Sequence, residues 1–420
     1  MKSFHIDRNM KDKVKIRLAI EKVCKSKKKR NGRPTKKYRQ AQKILANIDR
    51  YTDLIHTIVC ETEEKERAIK SGTYRDGDFP NAFVPHISGS FTRKCENGKV
   101  RVITSVPVFP DQIIHQLVIK SAESVFMRGM YRFSCGSIPK RGVHKGKQYL
   151  ERYIGRNRRS SAIKYAAQLD IRKCYPHIRH DVLKEMLRRK FRGSLFLCFC
   201  FSIIDSYSEK DAPGVGLPIG FYTSQWFCNF LLTPLDTYIK QELKVKCHVR
   251  YVDDMTMFSN NKKKLHRIVD CIIEKAASMG LQIKDNWQVF RFDHIVGFRV
   301  NPKTGKQEEI HKGRAIDTLG FRFFRNKTIL RKRNALSIRR CAARLAKAKR
   351  ITPHRARSFM SKIGALKHCN SRNFWRKYVK PLVKIKKLKE IIRNEDRKQH
   401  QTRSAGGGRM RTGACRNCFA

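Results

Sequence analysis

The chain has 420 residues, with 94 Lys+Arg against 35 Asp+Glu and a formal charge of +59. So much self-repulsion argues against an ordinary enzyme of small molecules and implies a polyanionic partner. Hydrophobic residues at 40% and aromatics at 10% exclude a disordered basic tail, and no run reaches the ~18 apolar residues of a membrane span.

The N-terminus lacks the apolar core of a signal peptide. The cysteines form no disulfide framework, and Cys198, Cys200 and Cys228 sit inside apolar runs, usage that suits a reducing compartment. The expectation is a cytoplasmic, nucleic-acid-binding protein with no membrane contact.

In chain order, residues 1–70 are basic and helix-prone, with a charge knot at Lys25-Ser26-Lys27-Lys28-Lys29-Arg30 that suits a basic surface better than a localisation signal. Residues 72–89 turn to Gly, Pro, Asp and Asn, a loop composition. Lys99 to Thr104 alternates as a strand with Lys99 and Arg101 on one face, and 111–130 is helical. Between 164 and 325 short strands interleave with longer helices: a strand ending at Asp170, a helix over 181–189, a helix over 226–243, two strands over 248–258 joined at Asp253-Asp254, and a helix over 265–279 closed by Gly280. That alternation predicts an α+β or α/β layer. From 331 to 400 the chain is helical, with 24 Lys+Arg against 3 Asp+Glu. The glycines at 406–408 open a flexible tail.

In so basic a chain, acids clustered in apolar surroundings stand out. Asp253 and Asp254 follow Val249-Arg250-Tyr251-Val252 and precede Met255-Thr256-Met257-Phe258. Adjacent carboxylates repel unless a cation neutralises them. Two-metal nucleotidyl transfer needs such a cluster, with ions roughly 3.5–4 Å apart, and a further carboxylate from elsewhere. Asp170 qualifies. An Asp-Asp pair alone is equally a turn dipeptide.

The neighbouring residues decide between these. Tyr251-Val252-Asp253-Asp254 matches the Tyr-x-Asp-Asp signature of reverse transcriptases. The run from Asp170 to Ile178 resembles the motif bearing their first catalytic aspartate. Gly216-Leu217-Pro218-Ile219-Gly220-Phe221-Tyr222-Thr223-Ser224-Gln225 resembles the loop and helix between these motifs, and Thr318-Leu319-Gly320-Phe321 resembles the later motif at the primer strand. Four motifs in order, from roughly Lys99 to Phe324, resemble a prokaryotic reverse transcriptase.

The resemblance implies a right-hand polymerase of α+β class. Its parts would be a basic helical extension over 1–70, fingers over 71–163 and a palm over 164–327 with an insertion near 190–213. A basic helical thumb over 328–400 and a tail over 401–420 would follow. Asp170, Asp253 and Asp254 would be the catalytic acids, holding Mg²⁺ (or Mn²⁺) with the carbonyl of Ile171. Tyr175 would be the steric gate against a ribose 2′-OH, or else a core aromatic. Lys99 and Arg101 would grip the triphosphate, a task suited to a guanidinium, or else a duplex backbone. Ile219, Gly220 and Gln225 would line the nucleotide pocket, and Leu319 and Gly320 would touch the primer. Lys284 lies near the family's general-acid lysine, in a local sequence that departs from the usual Asn-x-x-Lys.

The implied partners are template RNA, the RNA–DNA hybrid and dNTPs. The thumb's basic residues would follow phosphates in a salt-sensitive, sequence-independent contact. Ile219 before the glycine and Gln225 after Ser224 resemble the enzymes of diversity-generating retroelements, which make error-prone cDNA from a template repeat and work with a small accessory protein. Retron-like, group II-like and phage-defence enzymes are the alternatives, and a catalytically inactive maturase-like RNA-binding protein is a remoter one. These resemblances imply a bacterial or phage gene. Cys415 and Cys418 form a lone pair, short of a four-ligand zinc site.

Overall fold

A computed structural model describes residues 6–29, 33–94, 98, 100–302, 305 and 307–407. The chain divides into two compact units, residues 1–313 and 314–420.

The first unit opens with helices α1 (Ile6–Lys11), α2 (Lys13–Lys25), α3 (Lys36–Ala46) and α4 (Ile48–Ser71). Asp12 starts α2 by accepting from the Val14 N–H at 2.8 Å, one of the donors a helix start leaves orphaned. Ile16, Ala19, Ile20, Val23 and Cys24 then recur at helical spacing on its buried face. A hairpin follows, β1 (Gly89–Lys94) with β2 (Val100–Ser105), then α5 (Ile113–Gly129), which is buried nearly all round. After β3 (Ser134–Cys135) and α6 (Val143–Arg156) come β4 (Tyr165–Asp170), α7 (His180–Lys190) and α8 (Ser194–Asp205).

The expected helix over 226–243 is instead broken into α9 (Tyr222–Leu231), α10 (Thr233–Thr237) and a wider π turn, Tyr238–Glu242. Pro234 is the cause: it has no N–H to continue α9 and sits at the start of α10, where none is needed. Then come β5 (His248–Tyr251), β6 (Asp254–Ser259), α11 (Lys262–Ser278), β7 (Gln288–Arg291) and the hairpin β8 (His294–Val300) with β9 (Gln307–Lys312). Asn261 caps α11 by accepting from Lys264 N–H at 3.0 Å, and Gly280 at φ 73° follows its end.

The central sheet has the order β3-β5-β6-β4-β7, antiparallel except for β3 with β5. Helix α11 packs on β4, β6 and β7, and α6 on β3 and β5. One continuous core runs from Ile6 to Ile283, so the N-terminal helices share it with the sheet. Residues 190–213 contribute α8, whose Phe196, Phe199 and Cys200 lie fully in that core.

In the second unit β10 (Ile316–Thr318), β11 (Phe321–Phe323) and β12 (Thr328–Leu330) form an antiparallel sheet. Helices α12 (Lys332–Ala346), α13 (Pro353–Ile363), α14 (Arg372–Tyr378) and α15 (Ile385–Gly407) complete it. Helix α15 extends past His400 into the segment expected as tail, because adding residues to a formed helix is far easier than nucleating one. No described helix is long and apolar enough to cross a membrane.

Asp7 on α1 accepts from the Phe196 N–H (2.9 Å) and the Leu195 N–H (3.3 Å), so a residue 188 positions away caps the start of α8. Asp7→Ala is expected to cost about 1–2 kcal/mol, seen as a lower urea midpoint with unchanged slope.

Candidate active site

Strand β4 ends at Asp170, and β5 and β6 are joined through Val252-Asp253. The register sets Asp170 directly opposite Asp254. Just past the ladder the Ile171 N–H donates to the Asp253 carbonyl at 3.1 Å, which fastens the turn to the end of β4. On the other side of β4, the Lys284 N–H donates to the Asp170 carbonyl at 2.8 Å and Arg172 N–H to the Gln282 carbonyl at 2.7 Å. These bonds place Lys284 beside Asp170, and its Nζ forms an ion pair with Asp170 Oδ1 at 2.6 Å. The contact is ionic: this oxygen accepts no hydrogen bond of acceptable geometry.

The electrostatics show which groups converge. Burial, and then the charge of Asp170, push the Asp253 carboxyl above its ordinary range, against the opposing pull of Lys284 and Arg101. Asp170, Lys284 and Arg101 therefore all bear on the charge of Asp253. Tyr175, in the turn after β4, is raised by burial first and then by the Cys228 and Cys174 thiols and Asp253, while Arg101 lowers it. It lies within the same cluster, half-buried.

The segment before α9 is fastened to these residues by its backbone. Leu217 N–H donates to the Tyr175 carbonyl at 2.9 Å, and Thr104 N–H on β2 donates to the Ile219 carbonyl at 2.8 Å. At Gly220, φ is 129° and a Cβ would overlap the Thr104 carbonyl oxygen. Only glycine permits that approach. Ile219 is half-buried and Gln225 exposed on α9. Lys99, Cys415 and Cys418 lie outside the described residues. Leu319 and Gly320 form the two-residue turn of the β10–β11 hairpin in the second unit, with φ of 57° and 81°, the left-handed pair a tight hairpin demands.

Sequence reasoning missed what lies beneath the turn. Val252 has φ 57°, which for a β-branched residue costs on the order of 1–3 kcal/mol. Its carbonyl accepts from Arg250 Nη1 at 2.8 Å, and Arg250 is itself paired with the fully buried Asp236. A single charged residue in each of two short elements beside apolar runs, Arg250 in β5 and Asp236 in α10, was the available signal. Cys174 and Cys228, with sulfurs 3.4 Å apart, are buried nearby, and no described cysteine forms a disulfide.

Among the described residues no three His, Cys, Asp or Glu side chains converge as a ready metal cage. What does converge is the pair Asp170 and Asp253. Two repelling carboxylates, one with an oxygen whose partner is the Lys284 ammonium alone, fit a divalent cation held by few protein ligands and completed by substrate oxygens, as is usual for Mg²⁺.

An antiparallel sheet that sets one acid at a strand end beside another in a strained turn defines the palm of an α+β right-hand polymerase. Residues 92–323, over half the chain, match the family model described as reverse transcriptase (RNA-dependent DNA polymerase). The chain belongs to that family. Among solved structures it is similar to Candida albicans telomerase bound to a fragment of telomeric RNA (15% identity, 73% of this chain and 61% of that one, TM-score 0.41). A C-terminally truncated apo telomerase from Candida tropicalis is also similar (15% identity, 54% and 55%, TM-score 0.36). The chain spans only about 53–61% of the length of such structures. No curated protein sequence matches it.

Asp253 supplies a test. Because its carboxyl is raised in the folded state, its ionised form weakens the fold as pH rises through that raised value. Asp253→Asn is therefore expected to melt at a higher temperature than wild type at pH 7. The difference should shrink as pH falls into the carboxylate range and Asp253 becomes neutral.

Proposed function

We propose that this protein is an RNA-directed DNA polymerase that extends a primer 3′-OH along a template RNA with dNTPs. The observation that carries this is the strand pairing that sets Asp170 opposite Asp254 and fastens Asp253 alongside, with Lys284 on Asp170, in a chain of the reverse transcriptase family. Asp170 and Asp253 would hold divalent cations, with Asp254 and the Ile171 carbonyl as further oxygen ligands. When bound, Mg²⁺ (or Mn²⁺) supplies activation of the 3′-OH and charge neutralisation on the phosphoryl group transferred.

The chain's own residues do the rest. Arg101, with Lys99, grips the triphosphate. Tyr175 closes the space a ribose 2′-OH needs. Gly220 brings the backbone against the nucleotide, with Ile219 and Gln225 beside it. Lys284, which pairs with Asp170 at 2.6 Å, would give a proton to the leaving pyrophosphate. Leu319 and Gly320 contact the primer strand. The basic helices of the second unit follow the phosphates of the hybrid.

Within the class, we favour the error-prone enzymes of diversity-generating retroelements, acting with a small accessory protein in a bacterial or phage setting. The support is the aliphatic Ile219, which offers packing where a glutamine would offer hydrogen bonds, together with Gln225 after Ser224.

Primer extension on an RNA template with Mg²⁺ tests both levels. Asp170→Asn and Asp253→Asn are each expected to lower kcat by about 100-fold or more, as loss of a group acting on the reacting phosphate does. Full activity in either variant contradicts the assignment. Sequenced wild-type products with errors concentrated at template adenines support the retroelement subclass, and an even error spectrum removes it.

A further inference from the structure

Arg250 is 1% exposed and lies on β5, three residues before Asp253. Its Nε donates to both Asp236 oxygens at 3.0 Å and its Nη2 to Oδ2 at 2.7 Å. These bonds fix the plane of the guanidinium. Nη1 is then aimed at two acceptors, Asn229 Oδ1 at 3.2 Å and the Val252 carbonyl at 2.8 Å. The Asn229 amide donates in turn to the carbonyls of Gly136 (3.2 Å) and Gln225 (2.9 Å), while Ser134 Oγ donates to Asn229 Oδ1 at 3.3 Å. Helices α9 and α10 and strands β3 and β5 thus all bear, through one guanidinium, on a single atom of the turn.

For stability alone a buried ion pair has little merit, because desolvating two charges offsets their attraction. It supplies direction instead: a planar fork locked at one edge presents its remaining donors at one place. The nearby His248 does not compete as a partner, since burial pushes its imidazole down to about 4 and leaves it neutral. Val252 needs such a hold. Its φ of 57° is a conformation that β-branched residues avoid. Its Cγ2 also lies 2.8 Å from where a Cβ would stand on Gly136. The turn is seated on a glycine from one side and held by Arg250 from the other.

We propose, resting on the polymerase function above, that Arg250 is a positioning residue. Oriented by Asp236 and Asn229, it holds the Val252 carbonyl and so fixes where Asp253 presents its carboxylate. Arg250→Lys keeps the charge beside Asp236 but loses the fork. Val252→Gly adopts a positive φ freely and lessens the need for a hold.

The test combines steady-state primer extension by the full chain with hydrogen exchange in the peptide covering residues 165–174. The Ile171 N–H in that peptide reports on the turn through its bond to the Asp253 carbonyl. Arg250→Lys is expected to lower kcat by about 10- to 100-fold with the dNTP KM within about threefold, as a misplaced reacting group does. Exchange in the peptide should quicken. Adding Val252→Gly to Arg250→Lys should restore kcat by about fivefold or more, a recovery that a merely structural role does not give.

Wild-type kcat in Arg250→Lys, or a loss that Val252→Gly fails to recover, overturns the proposal. If Arg250→Lys does not fold, Asn229→Ala removes one orienting acceptor and is expected to show the same kcat-selective loss; unchanged kcat there overturns it equally. A wild-type chain that extends no primed RNA defeats the polymerase function instead. The exchange arm then decides alone, and unchanged exchange at 165–174 in the variant overturns the positioning role.

Discussion

The antiparallel pairing of β4 with β6 forces acids together, and the site depends on that constraint. Asp170 stands opposite Asp254, and the Ile171 N–H fastens Asp253 alongside. Local terms outweigh global ones here. A formal charge of +59 surrounds the pair, yet Asp253 is raised rather than lowered, because burial and Asp170 outweigh Lys284 and Arg101. Exposed charges elsewhere are screened beyond a Debye length of about 8–10 Å. A carboxylate held at such a disadvantage gains from any cation that neutralises it.

The surrounding structure keeps that arrangement from relaxing. Gly220 lets the segment before α9 press against β2, and the Thr104 N–H to Ile219 carbonyl bond joins a strand that also bears Arg101. Gly136 seats the turn, and Asp236 orients the arginine beneath it. Val252, at a φ of 57° that β-branched residues avoid, directly precedes Asp253. Strain of this kind persists only where neighbouring contacts over-determine it.

The acids were legible because their chemistry is written in contiguous residues: apolar strands ending at Asp170 and flanking Asp253-Asp254 can be read from period and punctuation. Helix α11 was legible from its apolar spacing and Gly280. The supporting network was not, since Asp236, Asn229 and Arg250 come from three elements and meet only through the sheet's pairing. Nor could period show that α1 and α2 enter the core of the sheet, or that Asp7 caps a helix at a residue 188 positions away. The break at Pro234 had a local signal, outweighed by the apolar run around it.

The central claim is that Asp170 and Asp253 form a cation-binding polymerase centre. Titrating Mn²⁺ into the full chain and following the free-ion EPR signal tests it most directly, because the chain's net charge opposes adventitious cation binding. The account predicts saturable binding by wild type that weakens about tenfold or more in Asp170→Asn and in Asp253→Asn, as loss of one anionic ligand from a hard-cation site requires. Equal Mn²⁺ binding by all three chains would contradict it.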